Sequence, residues 1–118
     1  MSKLALLAED EAIIALMAED ALAESGFTVA GPFAHCARAL SWLDDNTPDV
    51  ALLDVELRDG PCTEVARVLS ERGVPLVFFS GGPFRIDIRA AFPDSLLFEK
   101  PTDYIAVMRA LHNLIPRR

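Results

Sequence analysis

Residues 50–57 read Val-Ala-Leu-Leu-Asp-Val-Glu-Leu. Four apolar side chains in succession, introduced by the Pro48-Asp49 turn signal, predict a strand covered on both faces, as in a parallel sheet. A parallel sheet needs crossover connections, so this short run dictates what the flanking segments must be. Asp54 then stands at the carboxyl end of the strand, the edge at which open α/β sheets hold their ligands. A second acid, Glu56, follows two positions on.

The flanking segments supply the crossovers. Residues 4–8 form a short apolar run ended by Glu9, Asp10 and Glu11, a strand leading into a carboxylate cluster. Apolar positions recur at helical spacing over 11–25, with Ile14, Ala18, Ala21 and Leu22 on one stripe and Ser25-Gly26 as the stop. Residues 27–30 read as a second strand broken by Gly31-Pro32, and 34–43 as a second helix that ends in the polar run 44–47. After the Asp59-Gly60-Pro61 turn, 63–72 is amphipathic with Val65, Ala66 and Leu69 inward, and Gly73 stops it. Residues 74–79 are a fourth strand, ending in Ser80-Gly81-Gly82-Pro83. A weaker helical segment at 84–92, a short strand at 95–98 ending in Glu99-Lys100-Pro101, and a helix at 103–115 stopped by Pro116 complete the chain. Five strands alternating with five helices predict one α/β domain over residues 1–118: a doubly wound five-stranded parallel sheet in the order 2-1-3-4-5.

Composition narrows the function. With 118 residues, 52% of them hydrophobic, the chain is long enough to bury one sizeable core. No apolar run approaches the roughly 18 residues of a membrane span, and the segment after Lys3 is too short for a secretory leader, so a cytoplasmic protein is expected. Cys36 and Cys62 lack the spacing and histidine partners of a zinc site and are expected as buried or half-buried free thiols. The net charge of −7 disfavours direct nucleic-acid binding. Charge is also uneven: residues 1–56 carry eleven acids against Lys3 and Arg38, whereas residues 57–118 carry seven acids against nine bases. Acid therefore concentrates in the half that holds Asp54. His35 and His112 each stand alone and are not expected to carry phosphate, and Trp42 is expected to pack rather than to stack on a base.

The strand ends combine into one surface. Glu9 and Asp10 follow the first strand, Asp54 and Glu56 the third, Ser80 the fourth and Lys100 the fifth; in the order 2-1-3-4-5 the first and third strands are neighbours at the switch point. Carboxylates held together repel unless a cation lies between them, and a few hard oxygen ligands suit Mg²⁺. Glu11, in the first turn of a helix, is explained by the helix dipole instead. A phosphoryl group carried on Asp54 would present its oxygens to the metal, the Lys100 ammonium and the Ser80 hydroxyl. Phosphoryl transfer asks for little beyond such positioning and charge, and carboxylates do serve as phosphoryl acceptors.

On these residues the chain resembles the receiver domain of bacterial two-component response regulators, from Lys3 to Ile115. The matching features are the acidic pair Glu9-Asp10, the LLDVEL segment with Asp54, the FFSGG segment with Ser80, and FEKP with Lys100-Pro101. The DVELRDGPCTEVARVLSERGVP segment is most similar to stand-alone receivers and to receivers attached to sensor kinases. The resemblance implies that Asp54 takes a phosphoryl group from a phosphohistidine on a sensor histidine kinase or histidine phosphotransfer protein, in a regulator that assists its own phosphorylation and dephosphorylation and is not otherwise an enzyme. It implies Mg²⁺ held by Asp10, Asp54 and the backbone carbonyl of Glu56, with Glu9 acting through water. Ser80 and Lys100 would bind the phosphoryl oxygens, and the Lys100-Pro101 bond would be cis. A protein output partner would read residues 84–115, where Arg85, Arg89 and Arg109 lie, and self-association into a homodimer is compatible with this.

Three features depart from the family pattern. Leu97 stands three residues before Lys100, where many receivers have a switching aromatic, with Phe98 next to it. Pro83 and Pro93 leave little room for a long fourth helix, and Gly60 arrives early after Asp54. Ile13 and Leu16 on the first helix are expected to be partly exposed and to offer a kinase apolar contact. The alternatives are a pseudo-receiver that only binds partners, an Asp-nucleophile Mg²⁺-dependent phosphatase using Asp54 and Glu56, and a flavodoxin-like flavin carrier. A flavin phosphate would be repelled by the acids at 9–11.

Overall fold

All five residues of Val50–Asp54 are buried, so the apolar run does form the fully covered strand that its pattern requires. The computed structural model describes residues 3–81, 86–100 and 103–114. In chain order the elements are β1 (Lys3–Ala8), α1 (Ala12–Glu24), β2 (Phe27–Phe33), α2 (Cys36–Leu43), β3 (Val50–Asp54), β4 (Glu56–Leu57), β5 (Gly60–Pro61), α3 (Thr63–Glu71), β6 (Leu76–Ser80), α4 (Ile86–Ala91), β7 (Leu96–Glu99) and α5 (Tyr104–Leu114). The main sheet is parallel, in the order β2-β1-β3-β6-β7. This is the doubly wound order expected of the chain, with β3 at its centre.

Alternation along the strands divides the core in two. Leu6, Ala8, Ala51, Leu53 and Phe78 face α2, α3 and α4. Ala5, Leu7, Val50, Leu52 and Phe79 face α1 and α5. On α3 the expected inward residues Val65, Ala66 and Leu69 are the buried ones. On α1 they are Ala15, Ala18 and Leu22, with Ile14 and Ala21 half-buried. Two of the three buried residues are alanines, and their small side chains bring the helix close to the sheet. Ile13, Leu16 and Met17 are left 76%, 57% and 52% exposed.

Two local features differ from the sequence reading. Gly31-Pro32 does not break the second strand: β2 runs on to Phe33, and the β1–β2 register slips between Leu6 and Ala8 so that one extra residue of β2 is accommodated. Gly31 takes a φ of +113° there, which a residue without Cβ adopts readily, and β2 is an edge strand, where Pro32 removes no needed donor. The second difference follows Asp54. The Asp59-Gly60-Pro61 turn is part of a small antiparallel hairpin in which Glu56 pairs with Pro61 and Leu57 with Gly60.

The hairpin serves a neighbouring helix. Asp59 accepts hydrogen bonds from the backbone N–H groups of Cys36 at 2.6 Å and Ala37 at 3.0 Å, while His35, at the N-cap position of α2, makes no side-chain cap bond. These donors hold the Asp59 carboxyl down to about 2. The first turn of α2 is thus capped from a loop more than twenty residues away in sequence. Cys62 is buried and Cys36 half-buried, both free. Burial pushes their thiols up to about 12 and about 11, which leaves little thiolate for chemistry.

The expected cis bond at Lys100-Pro101 lies outside the described residues, as do Arg85 and the side chain of Arg89; among the described residues the Gly31-Pro32 bond is cis. No helix among the described residues is long and apolar enough to cross a membrane.

Candidate functional site

Strand register brings the charged residues together. Ala8 pairs with Leu53 across β1 and β3, so Glu9, Asp10 and Asp54 leave the sheet side by side. Asp54 pairs with Phe79 across β3 and β6, and Ser80 pairs with Glu99 across β6 and β7. β3 thus ends one residue beyond β1 and β6 one residue beyond β3, β7 ends level with β6, and Lys100 starts from the far side of the crevice. Its long side chain reaches back across β6, with its backbone N–H held by the Ser80 carbonyl at 2.8 Å.

The Lys100 Nζ lies 2.8 Å from Asp54 Oδ2 and 2.6 Å from Glu9 Oε1, and the side chains of all three are at least nine-tenths buried. Each carboxylate also accepts one backbone hydrogen bond at 3.1 Å, Asp54 Oδ1 from Glu56 N–H and Glu9 Oε2 from Glu11 N–H. Both oxygens of both acids are therefore engaged, as buried charges require. Asp10, half-buried, completes a group of three carboxylates whose oxygens lie within 4.8 Å of one another. One ammonium among three acids leaves the pocket net negative. An all-oxygen donor set with room for an added cation fits a hard divalent ion such as Mg²⁺.

Electrostatics follow from burial. Desolvation pushes the Glu9 carboxyl up to about 7 against the pull of Lys100. Burial lowers the Lys100 ammonium, but its bonds to Asp54 and Glu9 outweigh this and the net direction is up. Lys100 is therefore firmly cationic, and Glu9 holds its proton to a pH well above the usual carboxylate range.

Of the residues singled out from sequence, Asp54, Glu9, Asp10 and Lys100 converge on one point, and Ser80 is buried at the adjoining strand end. The Glu56 side chain is exposed and outside the carboxylate group; its backbone amide is what touches Asp54. Glu9 shares the Lys100 ammonium directly with Asp54.

Tyr104 was missed altogether. Its ring lies 6.2 Å from Phe79, which stacks on Phe98 at 6.1 Å. Burial and the Glu9 charge raise its hydroxyl while Lys100 lowers it, with the net direction up. Its place in the first turn of α5, four residues after Lys100, is the signal that could have found it. Leu97 packs on the α2–α3–α4 side of the sheet, and Phe98 on the α1–α5 side.

No protein-family model matches this sequence, and no curated protein does. Solved structures do. A response regulator receiver protein from Sinorhizobium medicae superposes with a TM-score of 0.86 at 31% identity, covering 96% of this chain and 94% of that one. SdrG from Sphingomonas melonis superposes with a TM-score of 0.79 at 36% identity, covering 97% and 96%. The receiver domain of the PhyR response regulator from Erythrobacter litoralis, at 24% identity and a TM-score of 0.82 over 96% and 89%, shares the fold. Likeness to the first two extends over nearly the whole of both chains, and on that ground this chain belongs to the response regulator receiver family.

Proposed function

We propose that this domain is a phosphoacceptor of a two-component phosphorelay, with Asp54 as the residue that carries the phosphoryl group. The observation that carries the reading is the Lys100 Nζ, 2.8 Å from Asp54 Oδ2 at the mouth of a three-carboxylate pocket. A buried acid on the centre strand stands against a cation that can neutralise part of the charge of an incoming phosphate. An Asp54 oxygen attacks the phosphorus of a phosphohistidine on a sensor histidine kinase or a histidine phosphotransfer protein. The O–P bond forms as the P–N bond breaks, and the electron pair of the broken bond returns to the imidazole nitrogen.

Lys100 turns from the Asp54 carboxylate to the phosphoryl oxygens, and the Ser80 hydroxyl donates to another of them. Asp10, Asp54 and the backbone carbonyl of Glu56, with Glu9 through water, would hold Mg²⁺, which would supply further neutralisation of the phosphoryl oxygens. Ile13 and Leu16, exposed on α1 beside the crevice, offer the donor protein its apolar contact. Residues 84–115 offer the output surface, with Arg109 exposed on α5.

Incubation with acetyl phosphate and Mg²⁺ followed by intact mass tests this. One added phosphoryl group on the parent and none on Asp54→Asn is the expected result; no adduct on the parent discards the reading and leaves a partner-binding pseudo-receiver. With a phosphohistidine donor, Ile13→Asp should slow transfer without lowering the melting temperature. An Asp-nucleophile phosphatase is disfavoured by Asp54 ending the third strand of the main sheet instead of the first.

A further inference from the structure

An open groove of about 440 Å³ runs between α1 and α5, formed by Met17, Asp20 and Glu24 on one side and Tyr104, Ile105 and Met108 on the other. Met17 is 52% and Ile105 72% exposed, so both walls present apolar surface to water. Single exposed apolar residues are ordinary; here two of them line one concave surface. Along α1 the only charged side chains are Glu19, Asp20 and Glu24, so the rim on this side is acidic. Its complement is a helix with apolar residues at i, i+3/i+4 and i+7 flanked by Lys or Arg.

Tyr104 joins this groove to the acidic pocket. It lines the groove and packs against Phe79, which pairs with Asp54, accepts the Val55 N–H on its carbonyl at 2.9 Å and precedes Ser80. With Leu97 on the opposite side of the sheet and Phe98 stacked on Phe79, the aromatic contacts leading away from Asp54 point to α5 and α1. The Tyr104 hydroxyl also feels the charges of Glu9 and Lys100, the two groups that hold Asp54's surroundings together.

We propose that the α1–α5 groove is a docking site for a basic amphipathic helix of a partner protein, and that Tyr104 couples its occupancy to the phosphorylation state of Asp54. The coupling rests on the phosphoacceptor reading above; the docking does not.

Two of the three methionines, Met17 and Met108, line the groove, which makes methyl-labelled methionine in the full chain a direct probe. The ligand is a synthetic peptide of roughly 18 residues, about five helical turns, with Leu at helical spacing and Lys elsewhere; the control carries Glu in place of Lys. The Lys peptide should shift both methyl signals saturably, the Glu peptide should not, and Ile105→Glu should weaken binding about tenfold or more. Beryllofluoride with Mg²⁺ should change the peptide affinity at least about threefold in the parent and leave it unchanged in Tyr104→Ala. Unmoved Met17 and Met108 signals, or equal binding of both peptides, overturn the docking site. Concentration-dependent shifts of these signals without peptide, matched by dimer in sedimentation equilibrium, overturn the partner assignment in favour of a second copy of this chain. A retained beryllofluoride response in Tyr104→Ala overturns the coupling. If the parent takes no phosphoryl group by mass yet still binds the Lys peptide, the phosphoacceptor reading fails while the docking site stands.

Discussion

Replacing Lys100 with Met removes the ammonium shared by Glu9 and Asp54 while keeping most of the side-chain volume. At an effective dielectric of about 20, charges 2.6 and 2.8 Å apart attract by about 6 kcal/mol per pair before desolvation is counted. Most of this offsets the expense of burying three charges, and removal of one partner from a buried pair typically destabilises by about 3–5 kcal/mol. We expect about 3 kcal/mol at about pH 8, the low end, because each carboxylate keeps its backbone N–H partner. At about pH 5.5 the loss should fall to about 1 kcal/mol. Burial has pushed the Glu9 carboxyl up to about 7, so it is then protonated, no longer repels Asp54 and can donate a hydrogen bond to it. Urea unfolding followed by the fluorescence of Trp42, the only tryptophan, whose ring packs 6.2 Å from Phe33, measures both values. With a slope near 2 kcal/mol per molar urea, the midpoint should drop by about 1.5 M at the higher pH and by about 0.5 M at the lower. Equal shifts at the two pH values, or a shift under about 0.5 M at pH 8, would refute the idea that Lys100 is the countercharge holding the two acids in place.

The same acid sets a pH dependence in the parent. The Glu9 carboxyl, raised from 4.5 to about 7, binds its proton more tightly folded than unfolded, so its contribution is fully present below about pH 4.5 and is lost as pH rises to about 7. At about 1.4 kcal/mol per unit this amounts to at most about 3.5 kcal/mol, and Glu9→Gln should flatten the slope of stability against pH over that window. Gly31→Ala should destabilise by about 2–3 kcal/mol, since a Cβ at φ +113° would press on the Leu7 carbonyl and the Phe33 N–H; an unchanged urea midpoint would count against the β1–β2 register described here.

Much of this protein follows from residue order alone. The buried run at 50–53 and the alternation of apolar segments with periods of two and 3.6 lead to a doubly wound parallel sheet, because few other arrangements cover a two-faced apolar strand in a chain of this length. Once the strand order is known, Asp10, Asp54 and Lys100 must share one edge, since parallel strands all end there. What needed the tertiary structure was whatever depends on reach and on packing between segments distant in sequence. Glu9 shares the ammonium with Asp54 because the Lys100 side chain crosses β6, a length that spacing along the chain does not encode. Asp59 caps α2 because the hairpin after Asp54 folds over it, and Tyr104 meets Phe79 because α5 packs beside α1. Periodicity reports which face of an element is apolar; the partner that a polar side chain finds is decided only when the elements are laid against one another.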